Sequence, residues 1–135
     1  MNFILDKSKW ICGRPSSNIP PERSNCLGEG STKLLNEKGY MCCLGQCMYQ
    51  VIEGHNKSVS VLFDKESPEE TDFLCPPFNK LYGSIVNTRL AGDAMFINDA
   101  IDTTVDEKIE LLQQLFTDHG HTLEVVESSD IFKNI

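Results

Sequence analysis

The sequence lacks any apolar run that approaches the length needed to cross a membrane. A membrane-spanning helix needs about 20 predominantly apolar residues, and no stretch of the 135 residues comes near that length. The opening "MNFIL" is too short for the apolar part of a signal peptide and has no basic residue before it. We therefore expect a cytoplasmic protein with no membrane contact.

Basic side chains are scarce in the C-terminal half of the chain. Residues 64–135 hold five Lys and Arg against fifteen Asp and Glu, and the whole chain carries a net charge of -8. An acidic surface repels phosphate backbones, so this excess argues against DNA as a partner. The same acidity fits either attraction to a basic protein or an ordinary solvated surface.

The six cysteines do not form the paired knuckles of a structural zinc site. "GYMCCLGQC" has three of them, but Cys43 and Cys47 have no second close cysteine pair to complete a tetrahedral set. Thiols stay reduced in the cytosol. We therefore predict no metal and no cofactor, with the thiols packed as small apolar groups. A reactive Cys42 at a helix N-terminus, as in a thiol-dependent enzyme, stays open as an alternative.

The order of predicted elements indicates a mixed α+β fold. Its length suits one domain over residues 1–135, with a small antiparallel sheet packed by two or three helices. Gly39 suits the turn of a hairpin. Apolar periodicity predicts strands at 2–5, 58–63 and 121–128, and helices at 42–54, 86–100 and 104–119.

The helix that begins at "CCLG" is predicted to lie in the core. Cys43 and Leu44 fall on its apolar side, and Cys42 is expected nearer to the hairpin. Gly45 costs about 1 kcal/mol relative to alanine inside a helix. A close approach of another backbone, from the hairpin or the segment around Trp10, would offset that cost.

The last helix has the most distinct sequence signals. Thr104 and Glu107 match a capping box, and Gly120 matches a helix stop. Asp106, Glu110 and Asp118 then point outward, and we predict them to form a protein-binding face. The predicted buried stripe consists of Ile109, Leu112, Leu115 and Phe116.

The segment "GEGST" offers a second candidate site. Two glycines before Ser and Thr can present backbone N–H groups to an anion, although the Gly-Lys-Ser/Thr ending of a Walker loop is missing. A tight turn is the competing interpretation. The candidate ligand-binding residues are Arg14, Gly28, Gly30, Ser31, Thr32 and Lys33.

Three stretches resemble a family of small uncharacterised proteins from tailed phages and prophages. They are "FILD-x-SKW-x-CG", "LGEGSTKLLNEKGYMCCLG" and "LAGDAMFINDA-x-DTTVDEKIELLQQLF". The resemblance covers nearly the whole chain. It implies a phage origin and a location in the cytosol of the host cell, without transferring any catalytic residue. We therefore expect an accessory protein that binds a host or defence protein. The alternatives are a binder of a small ligand such as a nucleotide signal, and a thiol-dependent enzyme.

Overall fold

Three helices and two small parallel sheets make up the described part of the chain. The computed structural model describes residues 1–13, 24–25, 32–53, 59–68, 71, 89–100 and 102–132. The strands are β1 (Asn2–Asp6), β2 (Cys12–Gly13), β3 (Ser24–Asn25) and β4 (Thr122–Val126). The helices are α1 (Cys43–Glu53), α2 (Arg89–Asp99) and α3 (Val105–Asp118). The mixed α+β class is as predicted.

The predicted antiparallel direction of the sheet is wrong. β1 pairs with β4 in parallel, from Asn2 opposite Thr122 to Asp6 opposite Val126, and β2 pairs with β3 in the same sense. A parallel pair needs a long crossover connection, and here all three helices lie between β1 and β4 in the chain. Alternation of apolar residues places a strand on a core but carries no information about its direction.

The hairpin prediction was correct for the turn and wrong for its arms. Asn36 N–H donates to the carbonyl of Tyr40 at 2.9 Å, and Gly39 has the positive φ of 85° that the turn requires. The flanking residues bridge elsewhere, Leu35 to Phe63 and Met41 to Trp10. The turn therefore joins two segments that do not form a ladder with each other in the described chain.

The strand predicted at 58–63 is also wrong, because Val59–Leu62 is a short 3-10 helix. Phe63 N–H donates to Ser60 and Lys65 N–H donates to Leu62, which coils the segment. Asp64 follows with a φ of 61°, in the left-handed region. The run of alternating residues was too short to outweigh this local turn chemistry.

Helix α1 is the centre of the core, as predicted. Cys43 and Leu44 are fully buried, and Cys42 N–H donates to the carbonyl of Lys33, just before the turn. A Cβ atom on Gly45 would lie 1.8 Å from the carbonyl oxygen of Leu34. The predicted close backbone approach therefore exists, and only glycine permits it.

Two glutamine side chains of α1 cover one edge of β1. Gln46 accepts from the backbone N–H of Asp6 at 2.7 Å and donates to its carbonyl at 3.0 Å. Gln50, one helical turn later, makes the same two bonds with Ile4 at 3.0 and 2.9 Å. Each amide thus takes the place of a peptide group of a neighbouring strand. We call this pair the glutamine clasp.

Helix α3 begins and ends where the sequence predicts. The hydroxyl of Thr104 accepts from Glu107 N–H at 3.1 Å, while the Glu107 carboxylate accepts from that hydroxyl rather than from the Thr104 N–H. Gly120 has a positive φ of 81° after the helix. Within the predicted stripe, Leu112 and Phe116 are fully buried and the other two members, Ile109 and Leu115, are half-buried.

Candidate functional site

Asn98, at the end of α2, is a fully buried junction of polar contacts. Its carbonyl oxygen accepts from the indole N–H of Trp10 at 2.7 Å and from the backbone N–H of Cys43 at 3.0 Å. Its amide nitrogen lies 3.2 Å from the carbonyl of Ile11 and 2.9 Å from the hydroxyl of Thr32. One side chain therefore joins the Trp10 segment, the segment before the turn and the start of α1.

The bond from Cys43 to Asn98 also explains why α1 can begin inside the core. The first N–H groups of a helix have no partner within the helix. Asn98 takes the N–H of Cys43, and the sulfur of Cys42 accepts the N–H of Gly45 at 3.4 Å. No buried side-chain nitrogen or oxygen among the described residues lacks a hydrogen-bond partner. Since Asn98 is fully buried and its polar atoms are bonded to other residues of the chain, we interpret this junction as a structural element.

Two residues of the predicted ligand site, Thr32 and Lys33, are described, and their side chains lie in different environments. Thr32 is buried, and its hydroxyl donates to the carboxylate of Asp99 at 2.7 Å. Lys33 lies on the surface and contacts Glu66 at 3.0 Å and Asp64 at 3.6 Å. The hydrogen bond to Glu66 raises the pKa of Lys33, with a further contribution from the charge of Asp64. Both side chains therefore already contact acidic residues of the chain. The other candidate residues, Arg14, Gly28, Gly30 and Ser31, fall outside the described residues.

The cysteines of α1 and its N-terminus lie in an environment that opposes ionisation. Burial raises the pKa of Cys42 from 9.0 to about 12, and burial raises the pKa of Cys43 well above its ordinary value. A nucleophilic cysteine needs the opposite shift and some exposure. These two thiols are therefore protonated at neutral pH, in line with their packing as small apolar groups. In the described ranges, no three His, Cys, Asp or Glu side chains are arranged to hold a metal ion.

Lys108 is a buried lysine that the sequence reading did not single out. Its side chain is fully buried, and its ammonium group donates to the carbonyls of Ala100 and Thr103 and to the hydroxyl of Thr103. Burial lowers the pKa of Lys108. A cation beside carbonyls that follow the C-terminal end of α2 is well placed for the helix dipole. Lys108 thus joins α3 to the end of α2.

Asn98 and Lys108 share a signal that could have revealed them. Asn98 is the third position of a buried row on α2 that begins with Leu90 and Ala94. Lys108 lies between Val105 and Leu112 on the buried side of α3. A polar residue at a position where periodicity demands an apolar one predicts a buried polar contact. The sequence does not, however, identify the partner of that contact.

The outward side of α3 presents the predicted protein-binding residues together. Asp106, Glu110 and Asp118 are all exposed and, with Gln114, form one row at four-residue spacing. Gln114 donates to Asp118 at 2.8 Å. Leu111, on the same outward side, is 47 % exposed. We call this surface the α3 acidic face. None of its carboxylates forms an ion pair with another described residue.

A groove runs beside the α3 acidic face. It is open to solvent, has a volume of about 490 Å³, and is lined by Glu110, Leu111, Gln113, Gln114 and Thr117. Gln113 also donates to the backbone carbonyl of Leu123 in β4 at 3.1 Å. All five lining residues belong to α3, and the groove combines one acidic and one apolar side chain with two amides and a hydroxyl.

Comparisons with known proteins give no relative from which a role could be transferred. No family model, no curated protein and no solved structure matches the chain. In the part of the chain that the structure describes, no helix has both the length and the apolar character required to span a membrane.

Proposed function

We propose that this protein acts by binding a protein partner through the α3 acidic face. The observation that carries the proposal is the exposed row of Asp106, Glu110 and Asp118 beside the exposed Leu111. Protein interfaces commonly combine an apolar anchor with a polar rim. The partner surface should therefore carry basic side chains around an apolar contact.

The electrostatic setting supports a basic partner. Between residues 105 and 127 the chain carries six carboxylates against one lysine, and that lysine is Lys108, which is buried. A surface of one sign speeds the approach of an oppositely charged partner and rejects partners of like charge. Following the resemblance to phage proteins, we propose a host or defence protein as the partner, encountered in the cytoplasm.

Charge reversal on the α3 acidic face tests this function. The variant D106K/E110K/D118K should fold, because exposed charges contribute little to stability. Affinity capture from lysate of an infected host, followed by mass spectrometry, should show proteins that the wild-type chain retains and this variant loses. Retention by the wild type should also weaken at high salt, because the attraction is screened.

The matched control places the same charge change elsewhere. Glu37, Asp102 and Asp130 are exposed and lie outside α3, so E37K/D102K/D130K changes the net charge equally. The control should retain the captured proteins. If both triple variants capture the same proteins as the wild type, the α3 acidic face is not the interface. A small molecule released stoichiometrically on denaturation would instead favour the ligand-binding alternative.

A further inference from the structure

The two edges of the sheet formed by β1 and β4 are covered differently. On the β1 side, the glutamine clasp occupies the backbone groups of Ile4 and Asp6. On the β4 side, the N–H of Thr122 donates to the carbonyl of Met1, so the backbone groups of Thr122 face β1. In a parallel strand, successive residues direct their backbone groups to opposite sides. Leu123 and Val125 therefore direct their backbone groups away from β1.

The described residues cover the outer edge of β4 only in part. The carbonyl of Leu123 accepts from Gln113. No strand lies beside Val125 on that side in the described chain, and no described residue bonds its N–H or its carbonyl there. Val125 is half-buried and Glu124 is exposed. An edge with unpaired backbone groups is a template for an added strand.

Resting on the proposed function, we propose that the outer edge of β4 binds an extended, basic segment of the partner as an additional strand. Strand addition draws its affinity from main-chain hydrogen bonds and its selectivity from alternate side chains. Gln113 lines the groove and also contacts this edge at Leu123, so an added strand would lie next to the side of α3 that carries Gln113. The partner's lysines or arginines would be attracted by Glu110 and Glu124, whereas Glu127 is already paired with Lys7 at 3.3 Å.

Charge decides between this occupant and a second copy of the chain. Pairing of two β4 strands would bring together two edges that each carry the exposed carboxylate of Glu124. Like charges that face each other across a strand pair are destabilising. A basic segment replaces that repulsion by attraction, so the edge favours a partner strand over self-association.

The test uses the full chain labelled with nitrogen-15 and three short synthetic peptides. One alternates lysine with valine, one alternates glutamate with valine, and one is the lysine–valine peptide with every backbone nitrogen methylated. The lysine–valine peptide should shift the amide signal of Val125 and slow its hydrogen exchange. The other two peptides should bind about tenfold more weakly or worse, because they lack the charge or the donors.

A proline at the edge isolates the backbone contribution. V125P removes an N–H that faces away from β1, so the β1 pairing is kept. V125T keeps this N–H and the branched shape, and is the matched control. V125P should bind the lysine–valine peptide about fivefold more weakly than V125T, the usual effect of one hydrogen bond. The methylated peptide makes the same test on the wild-type chain if V125P does not fold.

Several results would overturn the proposal. They are unchanged exchange at Val125 with the lysine–valine peptide, equal binding of all three peptides, and equal binding by V125P and V125T. Protection of Val125 that rises with protein concentration in the absence of peptide would identify a second copy as the occupant. In lysate capture, proteins lost by D106K/E110K/D118K but kept by V125P would refute strand addition and leave the proposed function standing. Proteins kept by the α3 variant would refute the proposed function, while the peptide measurements still decide on the edge.

Discussion

Two glycines in helices give a paired test of how α1 packs. Gly45 in α1 and Gly92 in α2 both lie inside helices, where alanine is favoured over glycine by about 1 kcal/mol. A Cβ atom on Gly92 would meet no atom within 4 Å, whereas one on Gly45 would lie 1.8 Å from the Leu34 carbonyl oxygen and 2.6 Å from its carbon. The same substitution should therefore have opposite effects.

At Gly92 only the helix preference acts, so Gly92→Ala should raise the free energy of unfolding by about 0.5–1 kcal/mol. At Gly45 the added methyl must displace a backbone carbonyl, and forcing extra atoms into a packed core costs about 1–3 kcal/mol or more. An approach of 1.8 Å lies at the severe end of that range. After the helix gain of about 1 kcal/mol is subtracted, Gly45→Ala should therefore still lower the free energy of unfolding by about 2 kcal/mol.

Urea denaturation followed by far-UV circular dichroism measures both values, and unchanged m-values would show that the comparison is valid. If Gly45→Ala is as stable as the wild type or more so, α1 does not rest on the Leu34 backbone. If Gly92→Ala is destabilising by a comparable amount, a segment covers that face of α2 and the two sites are not a matched pair.

Three further predictions test the core and the cap of α3. Gln46→Ala should lower the free energy of unfolding by about 2–3 kcal/mol and speed amide exchange at Asp6, because it leaves buried backbone groups unpaired. Gln50→Ala should lower it by less, since Gln50 is half-buried and water can replace its amide. Equal losses of stability in the two variants would contradict the glutamine clasp. The free energy of unfolding should fall as pH rises from 9 towards 12, because the pKa of Cys42 is raised by burial to about 12 and the unfolded thiol ionises first. The contribution of this one thiol is at most about 4 kcal/mol. Cys42→Ser should flatten the plot of urea midpoint against pH in part, because Cys43, whose pKa burial also raises, still contributes. An unchanged profile would show that Cys42 is not buried. Thr104→Ala should lower the free energy of unfolding by about 1 kcal/mol, measured by thermal or urea unfolding, because the capping hydroxyl is removed. Thr104→Ser keeps this hydroxyl and should keep the stability. An equal loss in both variants would show that the hydroxyl does not cap the helix.

The elements that could be predicted from the sequence are those set by local periodicity. The helix from Cys43 and the capped helix after Thr104 were placed to within a residue or two, as was the N-terminal strand. The sheet direction could not be predicted, because it depends on a pairing between residues at opposite ends of the chain. The strand assigned around Val61 failed because a turn with Asp64 in the left-handed region decided the local conformation.

The outward position of the acidic residues followed from the buried stripe of α3, since residues opposite Leu112 and Phe116 must face solvent. The polar junction at Asn98 and the buried ammonium of Lys108 could not be placed in the same way. The partners of Asn98 come from segments far away in the sequence. Those of Lys108 lie only five and eight residues before it, in the irregular connection between α2 and α3, and no periodic spacing describes such a connection. The open edge at Val125 likewise depends on which strand fills the other side.

The glutamine clasp also depends on a match between the residue spacing of a helix and that of a strand. Four residues of helix rise about 6 Å, and two residues of strand span about 6.6 Å. Amides at Gln46 and Gln50 can therefore reach alternate residues of β1 at once. A slip of β1 by one residue would present the wrong backbone groups to both amides. Because α1 is synthesised well before β4, it can fix the register of β1 before its strand partner exists. During that time the clasp covers the edge of β1 that faces away from β4, and the other edge still awaits β4.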